Sequence, residues 1–203
     1  MTFAFDHIAI SAMTLQSGVD AVEAALGVKL GPIGHHPQMA THNRLLALGD
    51  IYLEVIAIDP AAPPPPHARW FDLDHFSGAP ALTNWVLRTD DLTSALTLCP
   101  HGTGLPVALA RGIYQWQMAV PTNGKLPFDG AFPALIQWQP PHHPTQNLPE
   151  SHIRLTRLDI IHPQAAALAS ALPLQDPRVH ITQGPVQAIN ATFTTPHGTR
   201  HFP

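Results

Sequence analysis

Two side chains that can do chemistry stand inside otherwise apolar strand patterns. They are His7 in Phe-Asp-His-Ile-Ala-Ile (Phe5–Ile10) and Glu54 in Ile-Tyr-Leu-Glu-Val-Ile (Ile51–Ile56). A carboxylate buried without a partner is costly, and nothing in an apolar strand requires an imidazole. Residues of these types at such positions face a cavity, a partner or a metal. Side by side, they would make an acid/base pair or half of a divalent-metal site. Strand alternation puts His7 on a face with Ala9 and Ser11, and Glu54 on a face with Tyr52 and Ile56. The bland alternatives are a histidine hydrogen-bonded within the fold and a solvated edge-strand carboxylate.

The elements that must position them follow from periodicity and turn residues. Phe3–Ser11 reads as a strand, Ser17–Leu26 as a helix stopped by Gly27, and Val28–Ile33, Thr41–Leu48 and Ile51–Ile58 as strands. Gly49-Asp50 makes a two-residue hairpin between the last two. Pro60–Pro66 is too rich in proline for a sheet or helix interior and reads as a linker, and Arg69–Phe76 as a short packed connector. The pattern then returns. Ala81–Arg88 is a strand, Leu92–Leu98 a helix, and Pro106–Ala110, Ile113–Val120 and Phe132–Trp138 three strands. After the Pro- and His-rich Pro140–Pro149 it begins again with Ile153–Ile161, the Ala-rich helix Gln164–Leu172, and strands Val179–Gln183 and Ala188–Thr195, with Thr199–Phe202 offering a stub. The expected fold is α+β: module one (3–58), a linker (59–80), module two (81–139), and a partial βαββ unit (150–203) packed on them.

Composition narrows the function. The 203 residues are 45% apolar and 12% charged with a formal charge of −4, which supports a real core and offers no basic patch for nucleic acid. No apolar run is long enough to span a membrane, and no basic-then-apolar leader opens the chain. Cys99 is the single cysteine, so no internal disulfide forms, and the expectation is a cytoplasmic protein. Fourteen histidines are many, but most lie beside proline or in loops.

The repeated strand–helix–three-strand pattern, with His in the first strand and Glu in the last of module one, resembles the vicinal oxygen chelate superfamily. Within it the pieces Phe5–Ile10, Gly34-His35-His36, Thr41-His42-Asn43, Tyr52–Ile56, Arg111, the Trp116 strand and Ala134–Trp138 resemble the glyoxalase-like branch. The resemblance covers roughly residues 3–140. It implies paired βαβββ modules forming a cupped half-barrel, with one metal ligand from the first and last strand of each module. Carried over by position, these are His7 and Glu54 in module one and, by motif alignment, Asn84 and Gln137 in module two. Two neutral amides replace the usual His or Glu, leaving an incomplete site for a divalent metal. Gln137 cannot shuttle a proton, so glyoxalase I chemistry in its usual form is not expected.

Arg111 and Trp116 offer an anion clamp and an apolar wall for substrate, and His36 and Asn43 lie on strands that line the cup in the superfamily. Trp85 and Trp138 are expected to pack against the module helices. The implied function is binding, and lyase- or isomerase-type transformation, of a small oxygenated or carboxylated molecule. The alternatives are a non-catalytic binding protein of the bleomycin-resistance type and an oligomerising protein with polar strand residues at its interface. The cup forms either within one chain or across a homodimer.

Overall fold

The computed structural model describes residues 1–203. Module one consists of β1 (Phe3–Ser11), α1 (Leu15–Leu26), β2 (Gly34–His36), β3 (Thr41–Ala47) and β4 (Tyr52–Ile58). Module two consists of β5 (Ala81–Thr89), α2 (Leu92–Leu96), β6 (Leu105–Arg111), β7 (Tyr114–Val120) and β8 (Ala134–Trp138). Together they make one eight-stranded curved sheet in the order β2-β3-β4-β1-β5-β8-β7-β6. Each module pairs its first strand in parallel with its last, and the modules join through the antiparallel pair β1–β5. The cup is therefore built within one chain.

Helix α1 begins at Thr14, whose side chain accepts from the Ser17 N–H, and ends at Gly27 in the left-handed conformation. It buries Leu15, Val19, Val22 and Leu26 on the convex side of the sheet. Gly18 brings it close: a Cβ there would sit 2.5 Å from Val55 Cγ1. The expected strand Val28–Ile33 is instead a loop. Its Leu30 N–H donates to the Glu23 carboxylate and Pro32 has no N–H to offer, so apart from the single bond from the Gly31 N–H to the Leu45 carbonyl the ladder with β3 starts at Gly34.

The remaining residues add β9 (Arg154–His162), α3 (Ala165–Ala171), β10 (Val179–Gln183), β11 (Ala188–Thr195) and β12 (Gly198–Phe202). These four strands form a separate sheet in the order β10-β9-β11-β12. Here the first strand is internal and pairs in parallel with the strand after the helix, a winding different from that of the modules. Leu155, Leu158, Ile160, Ile189, Phe193 and Phe202 join the same apolar cluster as Phe5, Ile8, Trp85 and Val22. A second cluster, with Ala9, Ile56, Val86, Trp116, Met118 and Ile136, occupies the concave side. Trp70, Phe71 and Leu73, from the connector between the modules, fill part of that concavity. No helix is long and apolar enough to cross a membrane.

Candidate functional site

A bulge in β1 creates the centre of the site. Opposite β5, Phe5 pairs with Leu87 and His7 with Val86, so Asp6 is the extra residue. An inserted residue breaks the alternation of faces. Phe5 and Ile8 therefore both reach the convex core, while Asp6 and His7 hydrogen-bond side by side. The His7 Nδ1–H donates to Asp6 Oδ1 at 2.6 Å, and Nε2 lies 3.6 Å from Glu54 Oε2. The imidazole stacks on Tyr52, with centroids 4.4 Å apart. Asp6 is fully buried, and its other oxygen accepts from Trp138 Nε1 (3.0 Å) and His143 Nε2 (2.9 Å). The Thr145 N–H donates to His143 Nδ1, which leaves Nε2 as the protonated nitrogen facing Asp6.

Burial alone would lower the His7 pKa, but its contacts with Asp6 and Glu54 outweigh it and raise the value to about 9. Glu54 moves the other way. Burial pushes its carboxyl up, yet His7 and then His36 and Asn43 bring it down to about 2. Burial likewise works against ionised Asp6, and its bonds from His143 and His7 hold it well below the usual carboxylate range. At neutral pH the centre is an imidazolium between two carboxylates.

The network continues outward. Asn43 Nδ2 donates to Glu54 Oε1, and Asn43 Oδ1 accepts from the Arg111 guanidinium at 2.8 Å. The same guanidinium nitrogen donates to His36 Nε2 at 3.2 Å, and His36 Nδ1 faces Thr41 Oγ1 at 3.1 Å. Burial, reinforced by the Arg111 charge and opposed by Glu54, lowers His36 to about 4 and keeps it neutral. Its ring is wedged edge-on against Trp70 and Trp116. Arg111 thus has only neutral partners. Gly34 makes its approach feasible, since a Cβ there would collide with Arg111 Nη1 and Asn43 Oδ1. Gly34→Ala is expected to displace the guanidinium and weaken ligand binding by roughly tenfold or more, with a change in unfolding free energy near 1 kcal/mol. Calorimetric titration beside urea unfolding checks this.

His7, Glu54, His36, Asn43, Arg111 and Trp116 surround one inner cavity together with Tyr52, Trp70, Phe71 and Trp138. Its volume is about 30 Å³, the space of a single water. Asn43, Leu45 and Arg111 also border a vestibule of about 520 Å³, walled by Pro32, Ile33, Ile113, Tyr114 and Leu148. Arg111 therefore stands between solvent-accessible space and the buried pair. Trp70 Nε1, in the inner wall, is buried without a hydrogen-bond partner.

Two expected residues are not brought here. Gln137 points to the other side of β8, where its Oε1 accepts from the Leu92 N–H at the start of α2. The strand register explains the miss: Glu54 lies opposite Ala9 in β1, and the corresponding pair across β5 and β8 is Val86 with Ala134. The motif alignment was three residues out of register, an odd offset that reverses the face. The same register turns Trp138 into the cup, paired with Trp116, rather than toward a helix. Asn84 does lie on the concave side, but it lines a neighbouring cavity, and Phe71 borders both. Its Nδ2 lies 3.5 Å from the Gly130 carbonyl. Asp6, Tyr52 and His143 were missed. Asp6 carried the same signal as Glu54, a carboxylate in an apolar strand, but plain alternation sets it on the face opposite His7 and only the bulge brings the two together; the loop residue His143 carried none.

The donor set does not suit a metal at the cup. Only His7 Nε2 and Glu54 converge, His7 Nδ1 is committed to Asp6, and apolar Ala134 occupies the register position of a module-two ligand.

Paired modules in one cupped sheet, with a polar centre on its concave face, define a member of the vicinal oxygen chelate superfamily. The model of the glyoxalase-like domain family matches residues 5–174, and the chain belongs to that family. That match runs through α3, beyond the two modules. No curated protein matches the chain. Among solved structures, a hypothetical protein from Staphylococcus aureus is similar over 93% of this chain and 88% of its own, with 15% identity and a TM-score of 0.60. Methylmalonyl-CoA epimerase from Mycobacterium tuberculosis is similar over 68% of this chain and 88% of its own, with 16% identity and a TM-score of 0.43. At these identities the likeness concerns the fold.

Proposed function

We propose that the protein binds a small carboxylated molecule with a neighbouring carbonyl oxygen and catalyses proton transfer beside that carbonyl, as an isomerase or lyase without a metal in the cup. The observation that carries this reading is His7 held between two buried carboxylates, behind an arginine that has no acidic partner. A substrate carboxylate entering by the vestibule gives Arg111 the anion it lacks. The carbonyl oxygen then competes for the His7 Nε2–H, which the 3.6 Å separation from Glu54 leaves loosely held. Once that bond is taken over, Glu54 loses the first of the contacts that depress its pKa and becomes a stronger base. It can take the proton from the carbon beside the carbonyl, while the electron pair moves to the oxygen held by the imidazolium. Return of the proton at another position isomerises the substrate, and loss of a neighbouring leaving group makes the reaction a lyase. Asp6 keeps His7 charged and oriented throughout.

The test is a panel of 2-oxo and 2-hydroxy carboxylates, screened by thermal shift and followed in D₂O by proton NMR. Wild type is expected to bind at least one of them and exchange its proton for deuterium. Arg111→Ala should weaken binding by roughly 10–100-fold. Glu54→Gln should bind and not exchange. Failure of every carboxylate to stabilise the protein would overturn the proposal.

One observation favours a second reading, binding without catalysis: the inner cavity of about 30 Å³ holds no substrate as it stands. On that reading the ligand stays in the vestibule, and binding without deuterium exchange in the wild type would establish it.

A further inference from the structure

On the opposite face of module one, three side chains that the cup does not use come together at the sheet edge. His35 and His42 are directly opposed in the antiparallel pair β2–β3, so both point to one face. His42 is also opposite Ala57 in β4, which puts Asp59, two residues on, at the diagonal position of that face. Asn43 and His36, one residue along from each histidine, point the other way into the cup. One ligand atom from each of His35, His42 and Asp59 lies within 4.8 Å of the other two.

The local bonding leaves these groups ready for a further partner. Asp59 Oδ2 is 2.8 Å from His35 Nδ1, and Oδ1 accepts from the Ala61 N–H at 3.0 Å, which fixes the carboxylate. His42 Nε2 is buried and has no hydrogen-bond partner. A buried imidazole nitrogen left unpaired is costly unless something binds it. The His35 side chain is 60% exposed, so the cluster is open to solvent on that side.

From this geometry we infer that His35, His42 and Asp59 form a binding site for a divalent transition-metal ion of the zinc type. Two imidazoles and one carboxylate are a donor set that suits Zn²⁺, Co²⁺ or Ni²⁺ better than Mg²⁺ or Ca²⁺. Three protein ligands leave a coordination position for water on the exposed side. Metal–ligand bonds of about 2.0–2.2 Å need ligand atoms roughly 3.3–3.6 Å apart, so small side-chain rotations close the site. The ion would tie β2 to the end of β4 and replace the direct His35–Asp59 contact.

The experiment is titration of untagged, chelator-stripped protein with Zn²⁺ by calorimetry and with Co²⁺ by visible absorption, beside His42→Ala, Asp59→Asn and the cup variant Glu54→Gln. Wild type and Glu54→Gln are expected to bind one equivalent of Zn²⁺, to gain thermal stability with its concentration, and to give Co²⁺ absorption bands of low coordination number. Each of the two site variants should lose more affinity than the roughly 10–100-fold typical of an outer-sphere partner. Urea unfolding of the apo variants shows whether each remains folded, and Asp59→Asn serves if His42→Ala does not. Absence of one-equivalent binding in wild type would overturn the assignment. So would binding that survives in the folded site variants, or binding that only Glu54→Gln abolishes, which would put the ion in the cup.

Discussion

Asp6→Ala is expected to destabilise the protein by about 3–5 kcal/mol, more than any other single substitution in the cup. Three donors converge on this one carboxylate: His7 Nδ1, Trp138 Nε1 and His143 Nε2. It is fully buried, so water cannot replace them. Truncation would leave the His7 imidazolium with Glu54 alone and strand two further N–H groups. His7 should then lose its proton nearer to neutrality, because Asp6 is the strongest of the contacts that raise its pKa. Asp6→Asn should recover only part of the loss, since an amide turns one of its two polar atoms into a donor facing donors. Urea unfolding measures the first effect and NMR titration of the imidazole the second. A loss below about 1 kcal/mol would mean that Asp6 does not hold the site together.

Stability should peak near pH 6.5 and fall on both sides, with the alkaline limb set by His7. Its pKa rises from 6.5 in the unfolded chain to about 9 in the fold. The folded state therefore binds more protons over this interval, and the contribution, full below 6.5, is lost as pH climbs through 9. A shift of that size corresponds to about 3 kcal/mol. His36 has the opposite sign. Its folded value of about 4 lies below 6.5, so the unfolded state binds more protons and stability falls as pH drops from 6.5 to 4. Glu54 adds to the acid limb, since its contribution is present above 4.5 and lost as pH falls toward 2. Urea midpoints measured from pH 4 to 10 give the profile. His7→Gln should flatten the alkaline limb and also alter the Glu54 part of the acid limb, since His7 is the first of the contacts that depress that carboxyl; an alkaline limb unchanged in that variant would assign the titration to another group.

Much of this protein was legible in its sequence because the signals are local. The alternation in Phe3–Ser11 and Tyr52–Ile58, the helix ending at Gly27, the Gly49-Asp50 turn and the return of the same pattern at Ala81 define the two modules. The cost of burying charge in an apolar strand is also local, and it singled out His7 and Glu54, which the fold sets 3.6 Å apart. Arg111, His36, Asn43 and Trp116 were named with the help of the resemblance to the superfamily, and they line the same cavity.

Only the tertiary structure decided the rest, because it depends on register and on distant segments. One inserted residue in β1 turned Asp6 beside His7, and a three-residue error in matching β8 to β4 reversed Gln137 and Trp138. A side chain's face changes with every residue of slip, and an isolated strand pattern does not report a bulge or a partner's offset. The connector that carries Trp70 and Phe71 fills part of the concavity beside Asn84, and His143 reaches Asp6 from 137 residues away. These placements are set by how the surfaces pack once the sheet is formed. The types of the reactive groups could be read one strand at a time; the distances between them could not, because strands far apart in sequence set them together.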